Sequence, residues 1–171
     1  MPIDLARIGF SPVGEEHYPL LLAWLNRPHM REWWGDPEEE LGFIRDMVEE
    51  NDTTRPFLIT LDGKPVGYIQ YWFVGHHQND EWTKDNPWLL ELPQEAVGVD
   101  LSIGEADRLS AGIGSAALIA FVANLSLIRP HSSSKSGFLP SSFSPALISA
   151  MPSCSRPMPA SSYRGRKAPE R

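Results

Sequence analysis

The acidic residues of this chain stop two thirds of the way along it. Residues 1–107 hold 21 of the 22 Asp and Glu residues against seven Lys and Arg, a net charge of −14. Residues 108–171 hold eight Lys and Arg against one acid, Glu170, a net charge of +7. A folded domain disperses both signs over its surface, so these are not two parts of one evenly charged fold. The composition breaks a little further on. From Ser126 to Ser162, thirteen residues are Ser and six are Pro, with no helical or alternating period sustained. Such a segment buries too little apolar surface to offset its chain entropy. The expected organisation is a folded part over 1–125 and a Ser/Pro-rich basic tail over 126–171, disordered or read out of frame.

The first part carries ordinary folding signals. Residues 3–10 (IDLARIGF) alternate as a strand does. In 15–26, Tyr18, Leu21, Leu22 and Leu25 keep the i, i+3, i+4, i+7 spacing of a helix, which Pro28 ends. A short helix over 29–35 closes at Gly35, and Asp36-Pro37 opens another reaching about Glu50, with acids in its first turn. Residues 55–61 and 65–73 are β-branched and aromatic around Asp62-Gly63, a strong hairpin signal. A long acidic loop, 75–94, precedes a strand over 95–104, and a helix runs from about Gly112 to Leu125. The order β-α-α-α-β-β-β-α predicts an α+β fold of one domain.

The bulk chemistry narrows the class. A single cysteine, Cys154, excludes an internal disulfide framework and fits a reducing cytoplasm. The start, MPIDLARIGF, lacks the basic and apolar regions of a signal peptide, and no run approaches the roughly 20 apolar residues of a membrane span. A soluble cytoplasmic protein with no membrane partner is expected. The acidity of residues 1–107 argues against a nucleic-acid partner.

Three features could carry chemistry. Gly112-Ile113-Gly114 opens a helix just after a strand, where glycines and free amides let an anion approach; a plain glycine turn is an equal alternative. Asp100 and Ser102 share one strand face, with Val99, Leu101 and Ile103 on the other. A carboxylate there could take a proton from an attacking amine, or it could be a solvated strand residue. Trp33, Trp34, Trp72, Trp82 and Trp88 lie in or near loops among Glu32, Asp36, Asp80, Glu81 and Asp85, a setting that draws in a cation; core packing is the alternative for each indole. His76, His77 and Asp80 have no recurring ligand spacing, so no metal is expected.

Together, LLLAWLNRPHMREWWGDP, FLITLDGKPVGYIQYW, GVDLSIG and RLSAGIGSAAL resemble the GNAT N-acetyltransferases, nearest to the aminoglycoside 6'-N-acetyltransferases and their siderophore-pathway relatives. The likeness spans about residues 10–125. It implies a mixed sheet with flanking helices, incomplete after the fourth strand and the glycine-loop helix. It further implies acetyl-CoA as co-substrate and a small cationic amine as acceptor. The backbone of Leu101, Ser102 and Ile103 would align the thioester, and Arg108, Leu109, Ser110, Ala111, Gly112, Ile113, Gly114 and Ser115 would hold the pyrophosphate. Asp100 would face the acceptor amine, with Trp34 and Gln70 in its pocket. Ala111 stands where the family usually has a basic residue, with Arg108 close by. The family's fifth strand and its tyrosine-bearing motif have no counterpart in 126–171, since Tyr163 lies in an unrelated context. Reduced activity and a frameshift near codon 125 are therefore expected. A hydroxylysine-type acceptor and a non-catalytic cation-binding relative are the competing readings.

Overall fold

The computed structural model describes residues 3–128. Four strands form one sheet in the order β1-β2-β3-β4: β1 (Ile8–Pro12), β2 (Arg55–Leu61), β3 (Lys64–Phe73) and β4 (Val97–Ile103). All three pairings are antiparallel. The helices are α1 (Tyr18–Leu25), α2 (Pro28–Trp34), α3 (Pro37–Val48), the single turn α4 (Asp80–Thr83) and α5 (Ile113–Ile128). The α+β class and the element order are those expected. The tail from 129 onward, with Cys154 and Tyr163, lies outside the described residues.

Local chemistry moves several boundaries. The first strand starts at Ile8 rather than Ile3, because Asp4 accepts a hydrogen bond from the Ala6 amide at 3.0 Å and turns Leu5–Arg7 into a 3-10 segment. The first helix likewise begins as a 3-10 turn at Glu15–His17, with Pro19 in the opening positions of α1, where its missing N–H costs nothing. Pro28 does more than end that helix; it opens α2. Asp36 caps α3, taking the amides of Glu38 and Glu39 at 3.0 and 3.1 Å. Asp62 and Gly63 both have positive φ (53° and 76°), the pairing that suits a two-residue hairpin turn. The expected loop over 75–94 contains α4 and two 3-10 segments, Val74–His77 and Pro87–Glu91.

The two sheet faces are covered differently. One carries α5, where Ala116, Ala117 and Ala120 allow close approach and Phe121, fully buried, meets Phe10, Phe57 and Tyr71 at ring-centroid distances of 4.9, 5.6 and 6.3 Å. The other face is covered in two pieces. Helices α1–α3 pack on Leu58 and Tyr68, while Val74, Leu89 and the indoles of Trp82 and Trp88 pack on Trp72. The stretch of sheet between Tyr68 and Trp72 holds the candidate site.

Candidate active site

Register places Gln70 opposite Asp100, Tyr68 opposite Ser102 and Trp72 opposite Gly98. With the strand period of two, these side chains share one sheet face. The Tyr68 hydroxyl donates to Gln70 Oε1 at 2.7 Å, and Gln70 Nε2 donates to Asp100 Oδ2 at 3.0 Å. Trp72 Nε1–H donates to the same Oδ2, also at 3.0 Å. Oδ1 takes part in neither bond, so the carboxylate keeps one oxygen clear of this network. Gly98 makes room for the indole, since a Cβ there would sit 2.1 Å from Trp72 Cε2.

Asp100 is half-buried. Burial pushes its pKa above the ordinary carboxylate range, against the opposing pull of the hydrogen bonds from Gln70 and Trp72 and of the nearby His77. An aspartate that holds a proton more readily is better matched to taking one from an amine.

Beside this carboxylate, β4 presents backbone. The bonds Gly104 N–H to Val66 O (3.0 Å) and Val74 N–H to Ala96 O (2.9 Å) fix the phase of the ladder. In an antiparallel pair, alternate residues exchange both bonds. Gly98, Asp100 and Ser102 therefore bond to β3, while the N–H and C=O groups of Val99, Leu101 and Ile103 point to the opposite edge. Among the described residues no strand pairs with that edge. The Ile103 carbonyl accepts a hydrogen bond from His29 Nε2 at 3.0 Å.

Just after β4 comes the glycine turn. Ser110 and Gly112 have positive φ (61° and 80°), a conformation that favours glycine at the second position. The first bond of α5 runs from Ala116 N–H to Gly112 C=O at 3.0 Å, which leaves the amides of Ile113, Gly114 and Ser115 without an intrahelical partner. A 16-residue helix ends its positive pole here. Arg108 is half-buried and adds to the pull by which Arg7 lowers the carboxyl pKa of Asp62 and Arg27 and Trp24 lower that of Glu105. Free amides and the positive end of the helix give this turn chemistry that favours an anion, and the carboxylate at 100 lies on the strand that feeds it.

The turn is pinned to the helical layer by contacts far apart in sequence. Trp24 Nε1–H donates to Glu105 Oε1 at 3.0 Å, and Arg27 Nη1 donates to the Gly104 carbonyl at 2.7 Å and Glu105 Oε2 at 2.8 Å. A Cβ at Gly104 would lie 2.1 Å from the buried Trp24 indole. Trp24, Arg27 and His29 fall in the segment that carries the family resemblance but, like Glu105, have no role that the sequence shows, because each bonds a residue more than 70 positions away. Tyr68 was also missed, although its strand phase with Gln70 was a usable signal.

The other expected residues fall in different places. Gln70 and Asp100 meet, and Asp100 is not the solvated strand residue that was its alternative. Trp34 is buried, 8% exposed, with its ring edge-on to Tyr68 at 5.6 Å; it packs in the helical core behind the site. Trp72 supplies a donor rather than an open wall. Trp33 is 37% exposed. His77 donates Nδ1–H to the Phe73 carbonyl at 3.1 Å and stands between the indoles of Trp72 and Trp82, at 5.0 and 4.9 Å. Asp36 is exposed but engaged as a cap. The side chains of Asp80 and Glu81 are outside the description.

Known proteins place this arrangement in a family. The acetyltransferase (GNAT) domain matches residues 14–133, well over half of the chain. Aminoglycoside N(6')-acetyltransferase type 1 of Klebsiella pneumoniae is 30% identical over 115 residues, covering 63% of this chain and 54% of the relative. The protein of the same name from Serratia marcescens matches to the same extent. The chain thus spans about half the length of the curated relatives it matches. Among solved structures, aminoglycoside acetyltransferase AAC(6')-Ib in complex with coenzyme A aligns at a TM-score of 0.58 with 27% identity, covering 71% of this chain and 68% of that one. The same enzyme with kanamycin and coenzyme A aligns at 0.58 with 26% identity and the same coverage. With a sheet, a glycine turn and a buried carboxylate arranged in this way, and a family match across all three, the chain belongs to the GNAT acetyltransferases.

Proposed function

We propose that the chain transfers an acetyl group from acetyl-CoA to a primary amine of a small polycationic acceptor of the aminoglycoside type. The observation that carries this reading is Asp100: a half-buried carboxylate with one oxygen outside its hydrogen-bond network, on the strand leading into a glycine turn whose helix amides favour an anion. Similar proteins named aminoglycoside N(6')-acetyltransferases support the acceptor class, as do neighbouring structures solved with kanamycin and ribostamycin.

On this reading the outer edge of Leu101–Ile103 aligns the thioester end, and Arg108 to Ser115 receive the pyrophosphate at the amino end of α5. The acceptor enters between the α1–α3 layer and the 74–92 segment, where Gln70 orients Asp100 and Trp34 backs the pocket through Tyr68. An ammonium group gives one proton to the Asp100 carboxylate. The resulting amine attacks the thioester carbonyl, a C–N bond forms, the C–S bond breaks, and the departing thiolate takes the second nitrogen-bound proton. Proton loss and attack are separated by Asp100, so no strong base is needed in solution. Turnover is expected to be slow, because the sequence of 126–171 resembles neither the fifth-strand segment nor the tyrosine motif of the family, and Ala111 lacks the usual basic side chain. Reading the nucleotide sequence past codon 125 in the other frames tests the frameshift; it fails if none encodes those elements.

Calorimetric titration of the full chain with acetyl-CoA tests the proposal. Saturable binding that is weakened by Gly112→Val is expected, since a β-branched residue resists a φ of +80°. No binding would overturn the enzyme reading, and binding of kanamycin without turnover would favour a non-catalytic cation-binding protein. Kanamycin left unmodified beside an acetylated hydroxylysine-type amine would move the acceptor to the siderophore class.

A further inference from the structure

The segment WLNRPH (24–29) carries part of the family resemblance, yet the reaction outlined above gives it no task. Its side chains close the end of β4. His29, half-buried at the start of α2, bonds through Nε2 to the Ile103 carbonyl at 3.0 Å. A carbonyl only accepts, so Nε2 carries the proton in either charge state of the ring. Ile103 is buried, and a buried carbonyl needs a partner; His29 supplies it. One residue further on, Arg27 Nη1 takes the Gly104 carbonyl at 2.7 Å. Both carbonyls at the point where the chain leaves the sheet are therefore used by the junction of α1 and α2.

The place of the Ile103 carbonyl gives this bond a consequence. The outward groups of β4 run, toward the glycine turn, as Leu101 N–H, Leu101 C=O, Ile103 N–H and Ile103 C=O. An extended molecule with amide groups, such as the pantetheine arm of acetyl-CoA, bonds to an edge of this kind as a strand does. Successive outward carbonyls lie two residues apart, about 6–7 Å along the strand. With the imidazole in front of Ile103, Leu101 is the last outward carbonyl before the turn. An arm that slipped by one position would carry its thioester about 6–7 Å along the strand, whereas a misplacement of about 1 Å already costs on the order of 10²-fold in rate.

We infer that His29 is a positioning residue for the donor: by occupying the Ile103 carbonyl it leaves the donor's arm one register on β4, with an arm N–H on the Leu101 carbonyl. The inference rests on the acetyl-CoA reading proposed above. His29 acts through the strand and has no part in the proton transfer at Asp100. Arg27 supports the same end of the strand but holds a carbonyl beyond it, so the register is set by His29.

The test is an NMR titration with acetyl-CoA of the full chain labelled with carbon-13 at its leucine and isoleucine carbonyls, with calorimetry alongside. The unsubstituted chain is compared with His29→Ala and His29→Gln. In the unsubstituted chain, saturation should shift the Leu101 carbonyl and leave Ile103 unmoved. In His29→Ala, which removes both donor and ring, Ile103 should shift as well, and acetyl-CoA should bind no more weakly. His29→Gln keeps an N–H that can donate to the carbonyl and should restore the unsubstituted pattern. In an active chain kcat falls about 10²-fold in His29→Ala and recovers in His29→Gln, a split that damage to the fold alone does not give, since that weakens binding too. An Ile103 carbonyl that shifts on binding in the unsubstituted chain, or stays unmoved in a His29→Ala variant that binds, overturns the inference and leaves the enzyme reading standing. Should His29→Ala not fold, the unsubstituted chain and His29→Gln decide by the same two carbonyls. An unsubstituted chain that binds no acetyl-CoA overturns the enzyme reading and the inference together.

Discussion

Gly98→Ala joins the stability of the sheet to the state of its carboxylate. A Cβ at 98 would meet the Trp72 ring at 2.1, 2.3 and 2.7 Å, where real Cβ contacts essentially never fall below 3.0 Å. The ring must therefore retreat by about 0.9 Å or more. Trp72 is 6% exposed and backed by Val74 and Leu89, so it has little room. Overpacking of this kind costs about 1–3 kcal/mol. A shift of that size also stretches the 3.0 Å bond from Trp72 Nε1 to Asp100, and a hydrogen bond to a charged group is worth about 1.5–3 kcal/mol. A net loss of about 3 kcal/mol follows if the two effects partly overlap. With a slope of ~2 kcal/mol per molar urea, the unfolding midpoint falls by about 1.5 M. The same variant should raise the Asp100 midpoint, because a bond that favours the ionised form is lost. Equilibrium urea unfolding followed by tryptophan fluorescence, with an NMR titration of Asp100, reads both. A midpoint within about 0.3 M of the parent and an unmoved carboxyl would refute the reasoning.

Other perturbations have opposite or pH-dependent signs. Gly42→Ala, inside α3 with nothing within 4 Å of the added Cβ, should stabilise the chain by about 0.5–1 kcal/mol in urea unfolding. Asp100→Asn should make the folded chain more stable at neutral pH: the raised folded pKa means stability is lost as pH rises from the ordinary value of 3.8 through the folded midpoint. That advantage should close at pH 3, as paired thermal melts would show. Glu105 behaves the other way, because hydrogen bonds from Arg27 and Trp24 hold its carboxyl below the ordinary 4.5. Glu105→Gln should therefore be less stable than the parent at pH 7, with the difference shrinking as pH falls through the lowered folded midpoint.

The parts of the fold that were legible depended on short-range chemistry. Asp62-Gly63 marked the hairpin because both positions need positive φ, and Asp36-Pro37 marked the start of α3 because one caps while the other opens a helix. Alternation in β4 separated Asp100 from its apolar neighbours, and the structure keeps that separation. The opening strand was read too early because one Asp4 hydrogen bond outweighed an alternating pattern. The 75–94 segment looked like a loop because its helical pieces are single turns, too short to show a period. The site was half legible: Asp100, Gln70 and Trp72 were marked, but Tyr68 and the hydrogen bonds that join these side chains depend on register between strands. The Arg27–Glu105 and Trp24–Glu105 bonds join distant elements, which no local spacing encodes.

The central claim is that Asp100 takes the proton of an acceptor amine beside a bound acetyl-CoA. Its most direct measurement is thiol release from acetyl-CoA by the full chain in the presence of kanamycin, compared with Asp100→Asn across pH 5–9. Amine-dependent release that rises as Asp100 ionises is predicted, with a fall of about 10²–10⁴-fold in the variant while acetyl-CoA still binds. Equal amine-dependent release by both chains would contradict it.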